Sequence, residues 1–281
     1  MITTGSIAEI QSLIRKYKAE GKKIGFVPTM GALHDGHLSL VNKAREKSDI
    51  VVSSIYVNPT QFNNQEDLQH YPRKTEQDKS LLGNCGCDIL FLPSDEIMYA
   101  DKSIISFDFG PLDKVMEGEF RPGHFSGVAL IVSKLFNIVQ PDFAFFGQKD
   151  LQQLSIIKTL VKDLLFNIEI VSVPIKRETH GLAMSSRNER LSEEDRKEAK
   201  IFYEALNAAK NIISEKKSTE EAKSKVQELF KNHKAELEYF EIVSDKDLLP
   251  KSENYLAPDT VLCIAGFIGN VRLIDNMYII S

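Results

Sequence analysis

The sequence predicts an α/β protein, a parallel sheet with flanking helices followed by a smaller α+β region with a short antiparallel sheet. Three observations lead there. Apolar, largely β-branched or aromatic runs at 24–27, 50–57, 88–93, 141–146 and 168–173 recur along the chain with helical segments between them. That alternation is the pattern of βαβ units and hence of parallel strands with right-handed crossovers. Proline or glycine closes these runs, as Pro28, Pro59, Pro93, Gly147 and Pro174, where a missing N–H or a tight turn ends a ladder. Past Pro174 the pattern changes to charged amphipathic helices over 193–215 and 219–233. Strand-like segments follow at 237–243, 261–267 and 271–275. With no helix between the last two, an antiparallel pairing is expected. A boundary near Lys176 divides the chain into 1–175 and 176–281.

The elements follow in order. Ile7, Ile10, Leu13, Ile14 and Tyr17 sit at helical spacing over 6–20, and Ser6 with Glu9 three residues on forms a capping-box pattern. The run 24–27 is a buried strand. It leads through Pro28-Thr29-Met30-Gly31 to His34-Asp35-Gly36-His37, where a helix begins with Leu38, Val41 and Ala44 at helical spacing and continues to about Ser48. A glycine turn between strand and helix makes an anion site, because backbone N–H groups and the dipole point at whatever sits over the helix start. The imidazoles of His34 and His37 add hydrogen-bond donors there.

The second strand ends in Asn58-Pro59-Thr60-Gln61. Ligands of open α/β sheets gather beyond the carboxyl ends of the strands, so Asn58 and Gln61 are placed to bind a small polar substrate. Residues 66–83 are polar, with a break at Tyr71-Pro72-Arg73 and helical spacing to Leu82. A further strand is expected at 104–107. Residues 116–127, rich in glycine, read as a loop that covers a site, followed by a helix over about 126–139. The fourth main strand runs straight into Gly147-Gln148-Lys149-Asp150 and a helix over 151–164, with Leu154, Ile157, Leu160, Val161 and Leu164 inward. Lys149 can meet phosphate as a mobile point charge, and Gln153 in the first helical turn faces the same ligand as Gln61. Beyond the boundary, Met184-Ser185-Ser186-Arg187 supplies two hydroxyls and a guanidinium for a bidentate phosphate grip.

Composition narrows the classes. In 281 residues, 42% hydrophobic and 27% charged, with a net charge of −5, the chain reads as an ordinary globular protein without the basic footprint of a nucleic-acid binder. It has no apolar run of the length that spans a membrane and no signal peptide at its N-terminus. Cys85, Cys87 and Cys263 lack zinc-knuckle spacing and read as thiols in a cytoplasmic protein. A Walker loop and a Gly-x-Ser-x-Gly elbow are both missing. His34, His37, Lys149 and Arg187 together suit in-line displacement at a nucleotide α-phosphate, where positioning and charge stabilisation carry the rate.

Thr29-Met30-Gly31 followed by His34-x-Gly-His37 resembles the nucleotidyltransferase superfamily, and Pro28 through His37 is similar to the pantoate–β-alanine ligase family. Asn58-Pro59-x-Gln61-Phe62, Tyr71-Pro72-Arg73, Arg121-Pro122-Gly123-His124-Phe125, Phe146 to Asp150 with Gln152-Gln153, and Met184 to Asn188 resemble motifs of that family in the same order. The resemblance implies a Rossmann-like domain with a C-terminal lid, and a two-step reaction with ATP and Mg²⁺. Pantoate attacks ATP to give pantoyl adenylate and pyrophosphate, and β-alanine then displaces AMP to give pantothenate. By position it assigns ATP contacts to Met30, Gly31, Ala32, Leu33, His34, Asp35, Gly36 and His37. Further ATP contacts fall on Gly147, Gln148, Lys149 and Asp150, and on Lys176 with Met184, Ser185, Ser186 and Arg187. His37 takes the family's proton-donor role, while Gln61 and Gln153 hold pantoate, with Gln61 also near β-alanine. Some members carry a Mg²⁺-associated carboxylate where Gln77 stands here, with Asp78 beside it. A homodimer is the family's expectation. The residues alone leave open another adenylyl- or cytidylyltransferase of the superfamily, or a catalytically silent nucleotide-binding protein. The Gln61/Gln153 pair, suited to a small hydroxy acid, favours the ligase.

Overall fold

The computed structural model describes residues 1–215, 218–231, 233–251 and 256–280. The chain packs as two compact units, residues 1–147 with 156–174, and residues 148–155 with 175–281. The sequence division at 175 puts 148–155 in the first part, whereas that octapeptide packs with the second unit.

In the first unit β1 (Ile2–Thr4) leads into α1 (Ile7–Ala19), then β2 (Ile24–Thr29), α2 (Asp35–Lys47) and β3 (Ile50–Ile55). Two short helices, α3 (Gln65–Gln69) and α4 (Thr75–Asn84), precede β4 (Ile89–Phe91) and α5 (Asp95–Met98). Then come α6 (Glu117–Phe120), α7 (His124–Val139), β5 (Phe143–Gly147), α8 (Leu151–Asp163), of which only the part from Ile156 on belongs to this unit, and β6 (Glu169–Val173). The six strands form one parallel sheet in the order β1-β4-β3-β2-β5-β6. Without the added outer β1, this is a doubly wound order whose switch point lies between β2 and β5. The β2–β3 ladder runs from Ile24↔Ile50 to Thr29↔Ile55, but the β2–β5 ladder ends at Phe26↔Ala144. The two strands thus part on the side where the His34–His37 turn begins.

Local chemistry explains the elements. Ser6 Oγ accepts the Glu9 N–H as the N-cap of α1. The expected reciprocal bond goes elsewhere, because the Glu9 carboxylate accepts from Thr4 Oγ1 at 2.6 Å and ties the helix to β1 instead. Gly25 is required by close packing, since a Cβ there would run into Ser48 Oγ. Phe26, Phe136 and Phe145 are fully buried. Phe136 meets Phe26, Phe146 and Phe166 edge to face, and burying each such ring contributes about 1.5–3 kcal/mol.

Several expectations are corrected. Residues 104–107 form no strand, and Ile104 is 97% exposed. The outer slot beside β4 is taken by β1, whose Ile2–Thr4 pairs with Ile89–Phe91. The loop 116–127 contains helix α6, and α7 begins at His124. Leu40 rather than Leu38 takes the core position in α2. α8 stops at Asp163, leaving Leu164 52% exposed.

In the second unit the helical stretch after Ser192 divides at Ala199 into α9 (Glu193–Glu198) and α10 (Lys200–Ser214), followed by α11 (Thr219–Lys231). The expected turn at 216–217 and the residue at 232 lie outside the described residues. β7 (Glu236–Ser244), β8 (Thr260–Ile268) and β9 (Val271–Tyr278) form an antiparallel sheet in that order. Phe202 of α10 and Phe230 of α11 meet edge to face at 5.3 Å within a core that includes Ile242, Leu262 and Ile264. No described helix is long and apolar enough to cross a membrane.

Candidate active site

In the first unit the site begins where β2 ends. Gly31 has φ +81° and Ala32 φ +49°, two successive left-handed residues, and Ala pays about 1–2 kcal/mol for that conformation. Asp78 of α4, 1% exposed, holds the turn. Its Oδ2 accepts the Ala32 N–H at 2.9 Å and its Oδ1 the Leu33 N–H at 2.8 Å. Thr29 Oγ1 accepts the Gly31 N–H at 3.2 Å while donating to the Ser54 carbonyl at 2.7 Å. A Cβ on Gly31 would lie 3.0 Å from Asp78 Oδ2.

His34 is the N-cap of α2. Its Nδ1 accepts the Gly36 N–H at 3.1 Å, and its own N–H donates to His37 Nδ1 at 3.4 Å. The His37 N–H donates to the His34 carbonyl at 2.8 Å. The rings lie 4.1 Å apart between centroids. An Nδ1 that accepts a backbone N–H places the proton of a neutral imidazole on Nε2, and in that tautomer each ring carries an Nε2–H donor. The expectation of an open backbone cradle at this helix start is corrected. The N–H groups of Gly31, Ala32, Leu33, His34, Gly36 and His37 are all engaged within the chain, and the side chains are what the turn offers an anion.

The end of β3 supplies the amides. Asn58 is 1% exposed, with Nδ2 donating to Gln61 Oε1 at 3.1 Å and to the Gly127 carbonyl at 3.2 Å. Its Oδ1 accepts from Tyr99 Oη at 2.7 Å and Thr60 Oγ1 at 3.0 Å. With both ends engaged, Asn58 supports Gln61, whose Nε2 lies 2.9 Å from Met30 Sδ. The structure therefore brings Met30, Gln61 and Asn58 together. His124 Nδ1 donates to the Gln61 carbonyl at 2.8 Å, and a Cβ on Gly127 would run into the Thr60 carbonyl oxygen. The ammonium of Lys134 sits 3.9 Å over the Tyr99 ring and donates to the Met98 carbonyl. Burial pulls the Lys134 pKa down and pushes the Tyr99 phenol up. Tyr99 and Lys134 were missed by sequence reasoning, and nothing in their local sequence marks them. Asp78 carried only the signal of standing beside Gln77.

In the second unit Gln148–Asp150 forms a single 3-10 turn before α8. Lys149 Nζ is 3.7 Å from Asp150 Oδ1, and Gln153 is half-buried in the first turn of α8. Lys176 to Met184 forms a tight loop closed by the Met184 N–H to the Lys176 carbonyl at 3.0 Å and the Glu178 N–H to the Leu182 carbonyl at 2.8 Å. Gly181 (φ +98°) can only be glycine, because a Cβ would run into the Tyr203 ring. Ser185 Oγ caps the 3-10 turn Ser186–Arg190 by accepting the Arg187 N–H at 3.3 Å. The Ser186 side chain is buried, while Met184, Ser185 and Arg187 are half-buried. Asn188 Nδ2 donates to Glu178 Oε1 at 2.9 Å and to the Ala183 carbonyl at 3.0 Å. Burial pulls Glu178 upward, but hydrogen bonds from Arg196 and Asn188 outweigh it, and the carboxyl ends below its ordinary range.

Among the described residues no group of three or more His, Cys, Asp or Glu side chains could hold a metal ion. Gln77 is an exposed amide, and each oxygen of Asp78 already accepts a backbone N–H. Among the described residues, therefore, no cluster of side chains builds a resident metal site.

A strand–turn–helix bearing paired imidazole donors, on a doubly wound parallel sheet, defines a nucleotide-handling class of α/β enzyme. A family model described as pantoate-beta-alanine ligase matches residues 2–278, and the chain belongs to that family. It is 46% identical over 283 residues to the pantothenate synthetase of Caldicellulosiruptor saccharolyticus, covering 99% of each chain. It is 45% identical over 285 residues to that of Cytophaga hutchinsonii, covering 100% of each. Among solved structures, pantothenate synthetase from Thermus thermophilus superposes with a TM-score of 0.93 at 41% identity, covering 100% of both chains. Pantoate-beta-alanine ligase from Francisella tularensis, complexed with beta-gamma ATP and beta-alanine, gives 0.83 at 38% identity over 99% of this chain and 98% of that one.

Proposed function

We propose that this protein condenses (R)-pantoate with β-alanine to form pantothenate, using ATP and passing through pantoyl adenylate. The observation that carries the reading is the family match across residues 2–278. The ligands named for the Francisella tularensis relative, ATP and β-alanine, support the same chemistry.

In the first step a pantoate carboxylate oxygen bonds to the α-phosphorus of ATP and the bond to the bridging oxygen breaks, releasing pyrophosphate. In the second the β-alanine amine attacks the acyl carbon, the acyl–phosphate bond breaks, AMP leaves with the electron pair, and the amine gives up a proton. His34 and His37 donate from Nε2 to phosphate oxygens, where preorganised donors are worth most. Lys149 and Arg187 balance phosphate charge. Met30 to His37, Gly147 to Asp150, Lys176 and Met184 to Arg187 contact ATP. Gln61 and Gln153 hold pantoate, and Asn58, by its bond to Gln61, keeps that amide oriented. Mg²⁺, which favours phosphate oxygens and water over a protein cage, enters as part of the MgATP substrate. The three thiols, Cys85, Cys87 and Cys263, suit a reducing cytoplasm, where we place a homodimer.

The test is whether purified protein converts ATP to AMP and pyrophosphate only when pantoate is present, and forms pantothenate only when β-alanine is added as well. ATP turnover indifferent to pantoate would overturn the reading.

A further inference from the structure

We propose that Asp275 and Asn276, with Arg177, are positioning residues that hold both nucleotide-binding segments of the second unit, 148–150 and 176–187. The inference rests on the site reading above, in which those segments contact ATP.

Asp275 and Asn276 are consecutive on β9, and successive strand residues point to opposite faces. Asn276, 3% exposed, turns its amide to the Gln148–Asp150 turn and donates to two successive carbonyls. These are Gln148 at 2.8 Å and Lys149 at 2.9 Å. Gripping two adjacent carbonyls fixes the plane and direction of the peptide from which the Lys149 side chain springs. Asp275 faces the other way and takes Arg177 bidentately, Nη1 to Oδ2 at 2.5 Å and Nη2 to Oδ1 at 3.0 Å. The same guanidinium donates to the Asn276 carbonyl at 3.1 Å and to the Gly181 carbonyl at 3.0 Å, and lies 4.6 Å over the Tyr203 ring. Arg177 thereby anchors the Lys176–Met184 loop to β9. Asp275 Oδ1 also accepts the Asn276 N–H at 2.7 Å. One buried network thus reaches both segments from a single pair of strand residues.

Its composition argues for placement rather than stability. Asn276 Oδ1 is buried and has no partner among the described residues, so the residue serves through its two donors while its acceptor goes unused. A buried carboxylate–guanidinium pair is weak evidence for stability but fixes geometry. None of the three side chains touches a reacting group in this reading. They act through the backbone of the segments they hold.

The experiment is a double-mutant cycle with hydrogen exchange. Asn276→Ala is expected to lower kcat/KM for ATP by about 10–100-fold, as misplacement by an ångström does. In a Lys149→Ala background the same change is expected to lower it by no more than about threefold, because the lysine it aims is gone. Amides of 148–155 are expected to exchange faster in Asn276→Ala. Asp275→Asn, of equal size, keeps the test open if Asn276→Ala fails to fold: it is expected to lower kcat/KM for ATP and to speed exchange over 176–184, the loop that Arg177 anchors, and parental values of both would overturn the proposal. An equal loss in both backgrounds marks general weakening and overturns the proposal. Unchanged exchange at 148–155 overturns it at the clamp. Full activity in Lys149→Ala overturns it at the site reading beneath, and the exchange result shows which of the two failed.

Discussion

At the scale of single residues, the His34–His37 turn is built by side chains that serve the backbone first. Both imidazoles accept backbone N–H groups through Nδ1, which separates a structural role from a chemical one and makes them testable apart. Asn at position 34 keeps an N-cap acceptor for the Gly36 N–H but has no Nε2 donor. His34→Asn should therefore keep its melting temperature close to that of the parent while adenylate formation falls by about 10²-fold, and His34→Ala should lose stability as well. Equal melting temperatures for the two variants, measured by calorimetry, would remove the cap from the account. Asp78 gives the complementary case. Its carboxylate accepts two buried N–H groups beside a strained Ala32, so Asp78→Ala should destabilise by about 2–4 kcal/mol in denaturant titration, since hydrogen bonds to charged groups are worth about 1.5–3 kcal/mol each. Adenylation should fall too, because the histidines inherit the shape of that turn. A variant with parental stability would contradict the clamp.

At the scale of elements, the Lys176–Arg190 segment depends on one partly buried carboxylate. Glu178 accepts from Arg196 at 2.7 and 2.8 Å and from Asn188 at 2.9 Å, and its pKa is held below the ordinary value. A depressed folded-state pKa means stability that is present above the ordinary glutamate pKa and lost as pH falls through the depressed one. Glu178→Gln should lower stability at neutral pH and flatten its decline between about pH 5 and pH 3, with urea titrations at several pH values as the check. A variant with the parental acid slope would assign that slope to other carboxylates. The same element shows what a sequence discloses. Periodicity, caps and prolines are local, and they place α1, α2, the central strands and the antiparallel β8–β9 pair. The Met30-to-His37 turn and the Gln61 corner are equally local motifs. What holds them is not local. Asp78 bonds residues 46 positions away, Arg177 meets Asp275 across 98, and Asn276 reaches Gln148 across 128. No window of sequence carries those pairs. Three residues at a sheet edge, as in β1, have too short a period to register, while the apolar run 104–107 has the composition of a strand and pairs with none.

At the scale of the whole molecule, the residues assigned to ATP fall in both compact units, with His34 and His37 in the first and Lys149 and Arg187 in the second. The first unit's turn is internally bonded at nearly every N–H. In the second unit, the 184–187 stretch is half-buried apart from Ser186, and the Ser185 cap and the loop closure at Lys176 hold its backbone. A half-buried surface segment opens more readily than a core strand, and a ligand that binds only its ordered form shifts that equilibrium by its differential affinity. MgATP with pantoate should therefore slow amide exchange over residues 176–190 by at least about tenfold, while the already clamped amides of Ala32 and Leu33 change little. Arg187→Ala should remove the protection over 176–190, because its guanidinium is the cation of the 184–187 stretch that a triphosphate would order. β-Alanine alone should leave exchange unchanged, since in the proposed sequence it reacts only after the adenylate has formed. Exchange over 176–190 that is indifferent to MgATP and pantoate would show that this segment takes no part in binding, and the phosphate assignment would then rest on His34, His37 and Lys149 alone.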